Sequence, residues 1–244
     1  MKIRQGILLA AGTGSRLHPL TLTMNKHMIP VYDRHMIEYP IETLRQLGCE
    51  TVTIVIGGDQ IGFGQIVSFL KDGEQFGMKF NYVYQMKPSG IAQAINLCED
   101  YIKDDKFAVI LGDNIYEKKI NFTNPKPGAQ IVLCQHPEIN RFGVASILNG
   151  SIVNIVEKPQ IIDETLDNFA ITGLYIFDQN YFSFYPQLKP SSRGEYEITD
   201  MMKIYHRDKD LYYTISNGWW SDTGTFESIQ SVSNRIREKI ILAK

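Results

Sequence analysis

The chain has 244 residues, of which 43% are hydrophobic and 21% are charged. This composition can bury a full core, and it excludes intrinsic disorder as the main state. The formal net charge is −2, so no overall field draws the chain to nucleic acid or to an anionic membrane, and an anionic ligand must be held by a few well-placed arginines and lysines.

The cysteines and the N-terminal segment indicate the cellular compartment. Cys49, Cys98 and Cys134 lie far apart, form no C-x-x-C pair, and each lies within or beside an apolar run. This is typical of reduced, buried thiols rather than of disulfides or a zinc site. The apolar stretch at residues 6–11 is too short for a signal peptide, and no run approaches the roughly 18 residues of a membrane span. We therefore expect a cytoplasmic protein.

The first half of the chain alternates between strand-like and helix-like segments. Strands are predicted at residues 3–10, 51–56, 79–85 and 107–111. Apolar residues at helical spacing predict helices between them, on three stripes: Ile37, Ile41 and Leu44; Phe63, Ile66, Val67 and Leu70; and Ile91, Ile95, Cys98 and Ile102. This order predicts a parallel sheet with helices on both faces, and a ligand at the carboxyl ends of its strands.

After Asp113 the pattern changes to strands with short connections, at residues 129–135, 144–148, 152–157 and 168–177, which favours antiparallel pairing. Two further helical stripes follow, and the last predicts a C-terminal helix at about residues 225–242. No linker or repeat divides the chain. The prediction is an α/β fold with a Rossmann-like, three-layer α/β/α mixed, mostly parallel sheet, in a single domain over residues 1–244.

The strongest local signal is the glycine-rich loop at residues 9–17. Gly12 and Gly14 leave backbone N–H groups open to phosphate oxygens, and Arg16 and Lys26 supply cations nearby. Leu17 stands where a dinucleotide fingerprint needs its third glycine, which disfavours a nicotinamide dehydrogenase, and no Walker motif is present. The pattern suits a triphosphate, although the same loop occurs as an ordinary turn between a strand and a helix.

Two aspartates form the second signal. Asp113 ends a buried strand beside Gly112, and Asp222 lies shortly before the last helix. Mg²⁺ prefers one or two carboxylates together with phosphate oxygens and water, so the pair predicts a magnesium site. The alternative for Asp222 is that it caps the following helix.

Two weaker signals complete the set. Glu157 and Lys158 follow a strand; neighbours on an extended strand point in opposite directions, so we expect them to serve two parts of one ligand rather than each other. Gln85 and Gly90 flank a loop before a helix and suit recognition of a base edge. The alternatives are that Glu157 and Lys158 form a solvated strand end, and that Gln85 and Gly90 belong to an ordinary junction between a strand and a helix. None of the five histidines has ligand spacing, and none is assigned a catalytic role.

These segments, in this order, resemble the sugar nucleotidyltransferase family, and within it the short bacterial glucose-1-phosphate thymidylyltransferases. The resemblance covers nearly the whole chain and is carried by residues 10–17, 26–30, 90–94, 111–114, 141–144, 157–159, 172–175, 193–200 and 220–225. It implies a fold of the nucleotide-diphospho-sugar transferase type, with a nucleotide-binding half at about 1–115 and a sugar-phosphate-binding half at about 116–228. It also implies a homo-oligomer, a dimer or tetramer.

The resemblance also implies a role for each matching residue. Arg16 and Lys26 would grip the triphosphate of dTTP, beside Ala11, Gly12, Gly14 and Gly112. Gln85 and Gly90 would read the pyrimidine, and Asp113 and Asp222 would hold Mg²⁺. The glucose 1-phosphate site would be lined by Gly143, Glu157, Lys158 and Thr172.

The implied reaction is in-line attack of the sugar phosphate on the α-phosphorus, with pyrophosphate leaving. Positioning and charge neutralisation dominate such a transfer, which needs no histidine or paired-acid machinery. UTP or CTP in place of dTTP stays open, because one methyl group is worth only about 1–3 kcal/mol of discrimination. A non-catalytic sugar-nucleotide sensor is a further alternative, disfavoured because the cations and carboxylates are all present.

Overall fold

The computed structural model describes residues 3–57, 60–122 and 127–242. Within them the strands are β1 Gln5–Ala10, β2 Pro30–Val31, β3 Arg34–His35, β4 Thr51–Gly57, β5 Lys79–Gln85, β6 Lys106–Leu111, β7 Ile115–Tyr116, β8 Ala129–Cys134, β9 Gly143–Leu148, β10 Ser151–Glu157, β11 Asp167–Asp178, β12 Leu211–Ile215 and β13 Trp220–Ser221. The helices are α1 Glu38–Leu47, α2 Gln60–Leu70, α3 Ile91–Asn96, α4 Asn180–Phe184, α5 Ile198–Arg207 and α6 Phe226–Leu242.

A mixed sheet of nine strands forms the centre of the fold, and its main path runs β10-β9-β11-β6-β1-β4-β5. Strands β6, β1, β4 and β5 are parallel, and β11 joins them by antiparallel pairing with β6. Strands β9 and β8 pair antiparallel with different parts of the long β11, and β12 pairs parallel with β8. The parallel strands therefore end at one edge, where their carboxyl ends are followed by loops.

Helices cover both faces of this sheet, each with its own apolar core. On one face α1 and α2 bury residues such as Ile41 and Ile66 against β1, β4 and β6. On the other face α3, α4 and α5 bury Ile95, Tyr181 and Met202. This arrangement confirms the predicted fold class, a mixed α/β/α layering built on parallel strands.

Local sequence explains where α1 begins and ends. Pro40 lies in its first turn, where a missing N–H costs no helical hydrogen bond. Gly48 follows the helix with φ 98°, a left-handed conformation that glycine adopts without strain, and its N–H contacts the carbonyl groups of Leu44 and Arg45. The helix predicted from Ile37, Ile41 and Leu44 is therefore confirmed.

Most other predicted elements are confirmed, and the structure adds elements that were not predicted, among them the short strands β2, β3, β7 and β13. The third helix stripe is interrupted, because α3 ends at Asn96 and a 3-10 turn at Glu99–Tyr101 carries the chain to Ile102. Strand β12 and helix α4 were not predicted; β12 is partly exposed and is ordered by pairing with β8. The division of the chain into two halves stays a prediction.

The three cysteines are unpaired and buried, as predicted. Burial raises the pKa of both the Cys49 and the Cys98 thiols to about 12, so they stay protonated at neutral pH. In the part of the chain that the structure describes, no helix combines the length and the apolar character that a membrane span needs.

Candidate active site

A cleft at the carboxyl ends of the parallel strands contains two adjoining cavities. The larger, of about 610 Å³, lies towards β10 and α5, and the smaller, of about 400 Å³, lies over β1, β5 and the start of α3. They share a wall that includes Arg16, Asp113 and Glu195. This is the edge at which ligands bind in open parallel sheets, so the cleft lies where the sequence predicts it.

Most of the predicted site residues line this cleft. Those lining the smaller cavity are Ala11, Gly12, Arg16, Lys26, Gln85, Gly90 and Asp113. Those lining the larger cavity are Arg16, Asp113, Gly143, Glu157, Lys158 and Asp222. Residues from the first and the last third of the chain thus face one space.

The glycine loop lies directly beneath Lys26. A Cβ atom on Gly12 would lie 3.2 Å from Lys26 Nζ, which shows how closely the lysine crosses the backbone. Gly14 has φ 69°, and its carbonyl accepts a hydrogen bond from the Thr21 hydroxyl at 2.8 Å. The turn therefore places an ammonium group next to open backbone in the smaller cavity, an arrangement that suits phosphate oxygens.

Lys26 and Asp113 form a close ion pair inside the cleft. Lys26 Nζ donates to Asp113 Oδ2 at 2.6 Å, and each side chain is only 13% exposed. The other carboxylate oxygen accepts from Asn114 Nδ2 at 2.8 Å. Burial acts to raise the pKa of Asp113, but the charges of Lys26 and His27 and the hydrogen bonds from Lys26 and Asn114 together outweigh burial and hold it below its ordinary value. Asp113 is therefore an ionised, oriented carboxylate.

Three contacts bring the segment that contains Asp222 onto the segment that contains Asp113. Strand β13, which directly precedes Asp222, pairs with β7, which begins two residues after Asp113. Trp220 Nε1 donates to Asn114 Oδ1 at 2.6 Å, and the Thr223 hydroxyl donates to the backbone carbonyl of Asp113. The two aspartates are held at one wall of the larger cavity for this reason.

Asp222 lies among charged neighbours that include Asp113. Burial and, next, the negative charge of Asp113 raise the pKa of Asp222 above its ordinary value. Arg141 Nη2 lies 3.3 Å and Arg16 Nη2 3.9 Å from Asp222 Oδ2 and partly compensate this charge. Asp222 does not cap α6, since Thr225 and Ser228 exchange the capping hydrogen bonds there. That alternative is wrong.

This donor set fits a hard divalent cation that also binds substrate oxygens. Within residues 3–57, 60–122 and 127–242, no group of three or more His, Cys, Asp or Glu side chains is arranged to hold a metal by itself. Asp113 and Asp222 supply carboxylate oxygens and like charges that a cation would relieve. Mg²⁺ is commonly held by one or two carboxylates while phosphates and water complete its shell.

Glu157 and Lys158 are partners of each other, contrary to the prediction from strand geometry. Lys158 Nζ lies 3.7 Å from Glu157 Oε1. The reason is that β10 ends at Glu157 and Lys158 has φ 44°, so the two side chains are no longer on opposite sides of an extended strand. Both line the larger cavity, and Thr199 donates to Glu157 Oε2 at 3.2 Å.

Arg193 is a cleft residue that the site prediction missed. Its Nη2 donates to both carboxylate oxygens of Glu197 at 2.9 Å and to Glu157 at 3.3 Å. Burial lowers the pKa of Arg193, but the hydrogen bonds of Glu197 and the charges of Glu197, Glu195 and Glu157 together outweigh burial, and the net shift is upward. With Lys158 it supplies two cations to the larger cavity. The acidic and basic run at residues 193–197 is the signal in the sequence that marks this site.

Arg141 and Asn114 are also cleft residues that were missed. Both line the larger cavity. Arg141 is held by Glu138 at 2.6 Å as well as by Asp222. Each lies in a segment that carries the family resemblance, which is the signal that could have identified them.

Gln85 and Gly90 lie together in the smaller cavity, as predicted. Gln85 ends β5 and is 4% exposed. Gly90 precedes α3 with φ 102°, and a Cβ there would lie 2.5 Å from the carbonyl oxygen of Tyr196, so only glycine fits. Gln85 Nε2 donates to Gln93 Oε1 at 2.6 Å.

Thr172, Gly112 and Gly14 are not among the residues that line the two cavities. The Thr172 side chain is fully buried; its hydroxyl donates to the Val132 carbonyl at 3.0 Å and accepts from the Tyr116 hydroxyl at 2.7 Å. Gly112 packs on the buried His27, since a Cβ there would lie 2.7 Å from the imidazole ring. These positions support the walls of the cleft.

The fold and the cleft define a transferase that handles phosphate groups. Parallel strands end in a glycine loop with two cations, Asp113 lies on the wall shared with a second cavity, and that cavity contains both basic side chains and Asp222. An arrangement of this kind can hold two anionic ligands against each other and neutralise charge between them.

Comparison with known proteins agrees with this class. The family model for nucleotidyl transferases matches residues 5–239. A glucose-1-phosphate thymidylyltransferase of Neisseria meningitidis is 36% identical over 96% of this chain and 82% of its own length. The chain belongs to the nucleotidyl transferase family, which confirms the predicted resemblance and the predicted class of enzyme.

Solved structures show the same fold. A Bacillus anthracis protein provisionally assigned as a glucose-1-phosphate thymidylyltransferase, in complex with sucrose, is 43% identical, has a TM-score of 0.88, and is matched over 96% of this chain and 95% of its own. A UDP-glucose pyrophosphorylase in complex with UDP-glucose is 26% identical with a TM-score of 0.80, and is matched over 97% of this chain and 99% of its own.

Proposed function

We propose that the protein transfers a thymidylyl group from dTTP to glucose 1-phosphate, giving dTDP-glucose and pyrophosphate, with Mg²⁺ as cofactor. The observation that carries the proposal is the pair of adjoining cavities that share Arg16 and Asp113. A nucleotide in the smaller cavity and a sugar phosphate in the larger one would meet at this wall. The thymidylyltransferase relatives support the choice of these two substrates.

The smaller cavity suits the nucleotide. Backbone N–H groups of the loop at Gly12, together with Lys26 and Arg16, would hold the triphosphate. Asp113 keeps the Lys26 ammonium group extended across the loop, as the 2.6 Å ion pair indicates. Gln85 and Gly90, which also line this cavity, would read the edge of the pyrimidine. Ala11 lines the same cavity.

The larger cavity suits the sugar phosphate. Lys158 and Arg193 are cations at its rim, with side chains 48% and 40% exposed, and would bind the phosphate group. Glu157 bridges the two cations, and its carboxylate oxygens suit sugar hydroxyl groups. Gly143 leaves room there, because a Cβ would lie 2.7 Å from the Thr199 methyl group.

In the reaction, a phosphate oxygen of the sugar attacks the α-phosphorus of the nucleotide, and the bond from that phosphorus to the β-phosphate bridging oxygen breaks. The attacking group is already an anion, so no side chain has to accept a proton. Arg16 and Lys26 neutralise charge on the transferred group and on the leaving pyrophosphate. Mg²⁺ held by Asp113 and Asp222 would supply Lewis-acid stabilisation and alignment of the phosphates.

Turnover of purified protein with each pairing of dTTP, UTP, CTP, ATP or GTP with several sugar 1-phosphates tests the proposal, with pyrophosphate release as the readout. We expect the highest kcat/KM for dTTP with glucose 1-phosphate and a lower value for UTP. UTP is the second candidate because a UDP-glucose enzyme shares the fold at a TM-score of 0.80. A preference for CTP or a purine, or no turnover with any pair, would contradict the proposal.

We also propose that the protein works in the cytoplasm as a homo-oligomer, a dimer or tetramer. Light scattering of the purified chain gives its mass in solution and tests this part. A single monomeric species at micromolar concentration would contradict it.

A further inference from the structure

Gln93 contacts Gln85, a residue that lines the smaller cavity. It belongs to α3, while Gln85 ends the neighbouring β5. Gln93 is not among the residues that line either cavity, whereas Gln85 lines the smaller one. Gln85 Nε2 donates a hydrogen bond of 2.6 Å to Gln93 Oε1. The nitrogen side of the Gln85 amide is therefore turned towards Gln93.

The orientation of this amide decides what Gln85 offers to a ligand. A glutamine amide has a carbonyl oxygen that only accepts hydrogen bonds and a nitrogen that only donates them. One hydrogen of Nε2 is engaged by Gln93, so the amide is fixed with Oε1 as its acceptor for the cavity and only the second hydrogen of Nε2 as a donor. Gln85 is 4% exposed, so an unpaired orientation would leave a buried polar group without a partner.

Pyrimidines differ at the ring atom that such a group meets. Thymine and uracil carry a hydrogen on N3, which an acceptor can bind. Cytosine has a lone pair on N3 and would meet Oε1 as a second acceptor. An amide with the opposite orientation would present Nε2 and would favour cytosine instead.

We propose that Gln93 is a positioning residue for nucleobase selectivity: it fixes the amide of Gln85 so that Oε1 faces the cavity and selects bases with a hydrogen on N3. This inference rests on the proposed function, because it takes the smaller cavity as the nucleotide site. It goes further, because it assigns the preference for thymine and uracil over cytosine to a side chain that does not touch the ligand.

The test uses two variants that differ in hydrogen-bonding capacity at one position. Gln93→Glu can only accept, so it keeps the Gln85 orientation. Gln93→Lys can only donate, so it favours the opposite orientation, in which Gln85 Oε1 accepts from the lysine. Dissociation constants of dTTP, UTP and CTP are measured by calorimetry for the full-length wild type, for these two variants and for Gln93→Met, and the measurement needs no turnover. Thermal unfolding checks that both variants are folded.

We expect the wild type and Gln93→Glu to bind dTTP and UTP better than CTP. In Gln93→Lys we expect the ratio of CTP to dTTP affinity to rise at least about tenfold, because a reversed amide leaves a mismatched polar pair with the original base. A general effect of the added charge changes all three affinities together and leaves this ratio constant. Gln93→Met, which can neither accept strongly nor donate, should fall between the two.

If the ratio of CTP to dTTP affinity in Gln93→Lys is within twofold of the wild-type ratio, the inference is overturned. Equal binding of dTTP and CTP by the wild type would also overturn it. Failure of the proposed function looks different: base-selective binding that responds to Gln93, without pyrophosphate release from any pair of substrates. Should Gln93→Lys fail to fold, Gln93→Met decides, since a wild-type ratio in that variant contradicts the assignment.

Discussion

The indole of Trp220 donates a hydrogen bond of 2.6 Å to the amide oxygen of Asn114, a residue 106 positions earlier in the chain. The same oxygen accepts from the Gly173 N–H at 2.8 Å, and the Asn114 nitrogen donates to Asp113. One buried amide thus joins the two aspartate segments to the centre of β11. The proposed metal site depends on this junction, since it holds both carboxylates at one wall.

Asp113→Asn and Asp222→Asn should each lower kcat by about 100-fold or more, because each removes a carboxylate from a site whose cation contributes several kcal/mol. The double variant should be scarcely slower than the slower single variant, since one site is lost only once. Steady-state kinetics over a range of Mg²⁺ concentrations provides the measurement. Multiplicative losses with unchanged Mg²⁺ dependence would show that the aspartates do not share an ion.

Asp113→Asn and Asp222→Asn should differ in their effect on the free energy of unfolding, because the two carboxylates have different charged neighbours. Asp113→Asn breaks a buried ion pair with Lys26 and should lower the free energy of unfolding. Asp222 has a raised pKa from burial and from Asp113, so Asp222→Asn relieves repulsion and should leave stability unchanged or higher. Urea denaturation at pH 7 compares them.

Lys158→Ala should raise KM for the sugar phosphate by about tenfold or more, as expected for a hydrogen bond to a charged group, and leave KM for the nucleotide nearly unchanged. Lys203→Ala is the matched control, because Lys203 is exposed and paired only with Asp200 on the same helix in the described structure. Both are measured by initial rates with each substrate varied in turn. An equal rise in both Michaelis constants would contradict the assignment of Lys158 to the sugar-phosphate site.

Thr172→Val should destabilise the protein by about 1–3 kcal/mol and change neither Michaelis constant by more than about twofold. The hydroxyl bridges the Val132 carbonyl and the Tyr116 hydroxyl and does not line the cavities, so its loss leaves two buried polar groups with fewer partners. Thr172→Ser keeps the hydroxyl and should lose less stability. A large rise in KM for the sugar phosphate would instead support the role implied by the resemblance.

His27 should make the protein less stable in mild acid. Burial and, next, the charge of Lys26 lower the pKa of His27 from 6.5 to about 3. Below pH 6.5 the unfolded chain therefore binds a proton at His27 that the native state does not bind. The contribution of His27 to the free energy of unfolding is fully present above pH 6.5 and is lost as the pH falls towards 3. Between pH 7 and pH 5 this contributes a loss of about 2 kcal/mol.

His27→Gln tests that contribution, because glutamine does not titrate. Urea denaturation of the wild type and the variant at pH 5 and pH 7 gives four free energies of unfolding. The loss on acidification should be smaller in the variant by about 2 kcal/mol. Equal losses would mean that the imidazole is protonated in the native state or that other groups carry the pH dependence.

Much of the fold follows from sequence pattern, for local physical reasons. The β-branched run of β4 and the apolar run of β6 are typical of buried strands, and the apolar residues of α1, α2 and α5 recur at helical spacing. Gly48 marks a helix end because of its backbone freedom. These features depend on residues that are close in the sequence, so they can be predicted without the tertiary structure. The glycine loop, Lys26 and the two aspartates were recognisable for the same reason.

The pairings inside the cleft depended on tertiary structure. Strand alternation placed Glu157 and Lys158 apart, but the positive φ of Lys158 turned the lysine back to its neighbour. Nothing near Arg193 in the chain indicates that Glu157 would meet it, and nothing near Gln85 indicates Gln93. The sequence by itself determined which chemical groups this protein has and on which elements they lie. Only the tertiary structure, in which β10 pairs with β9 and contacts α5 while β13 pairs with β7, decided which groups face each other, because contacts between distant segments depend on the whole sheet.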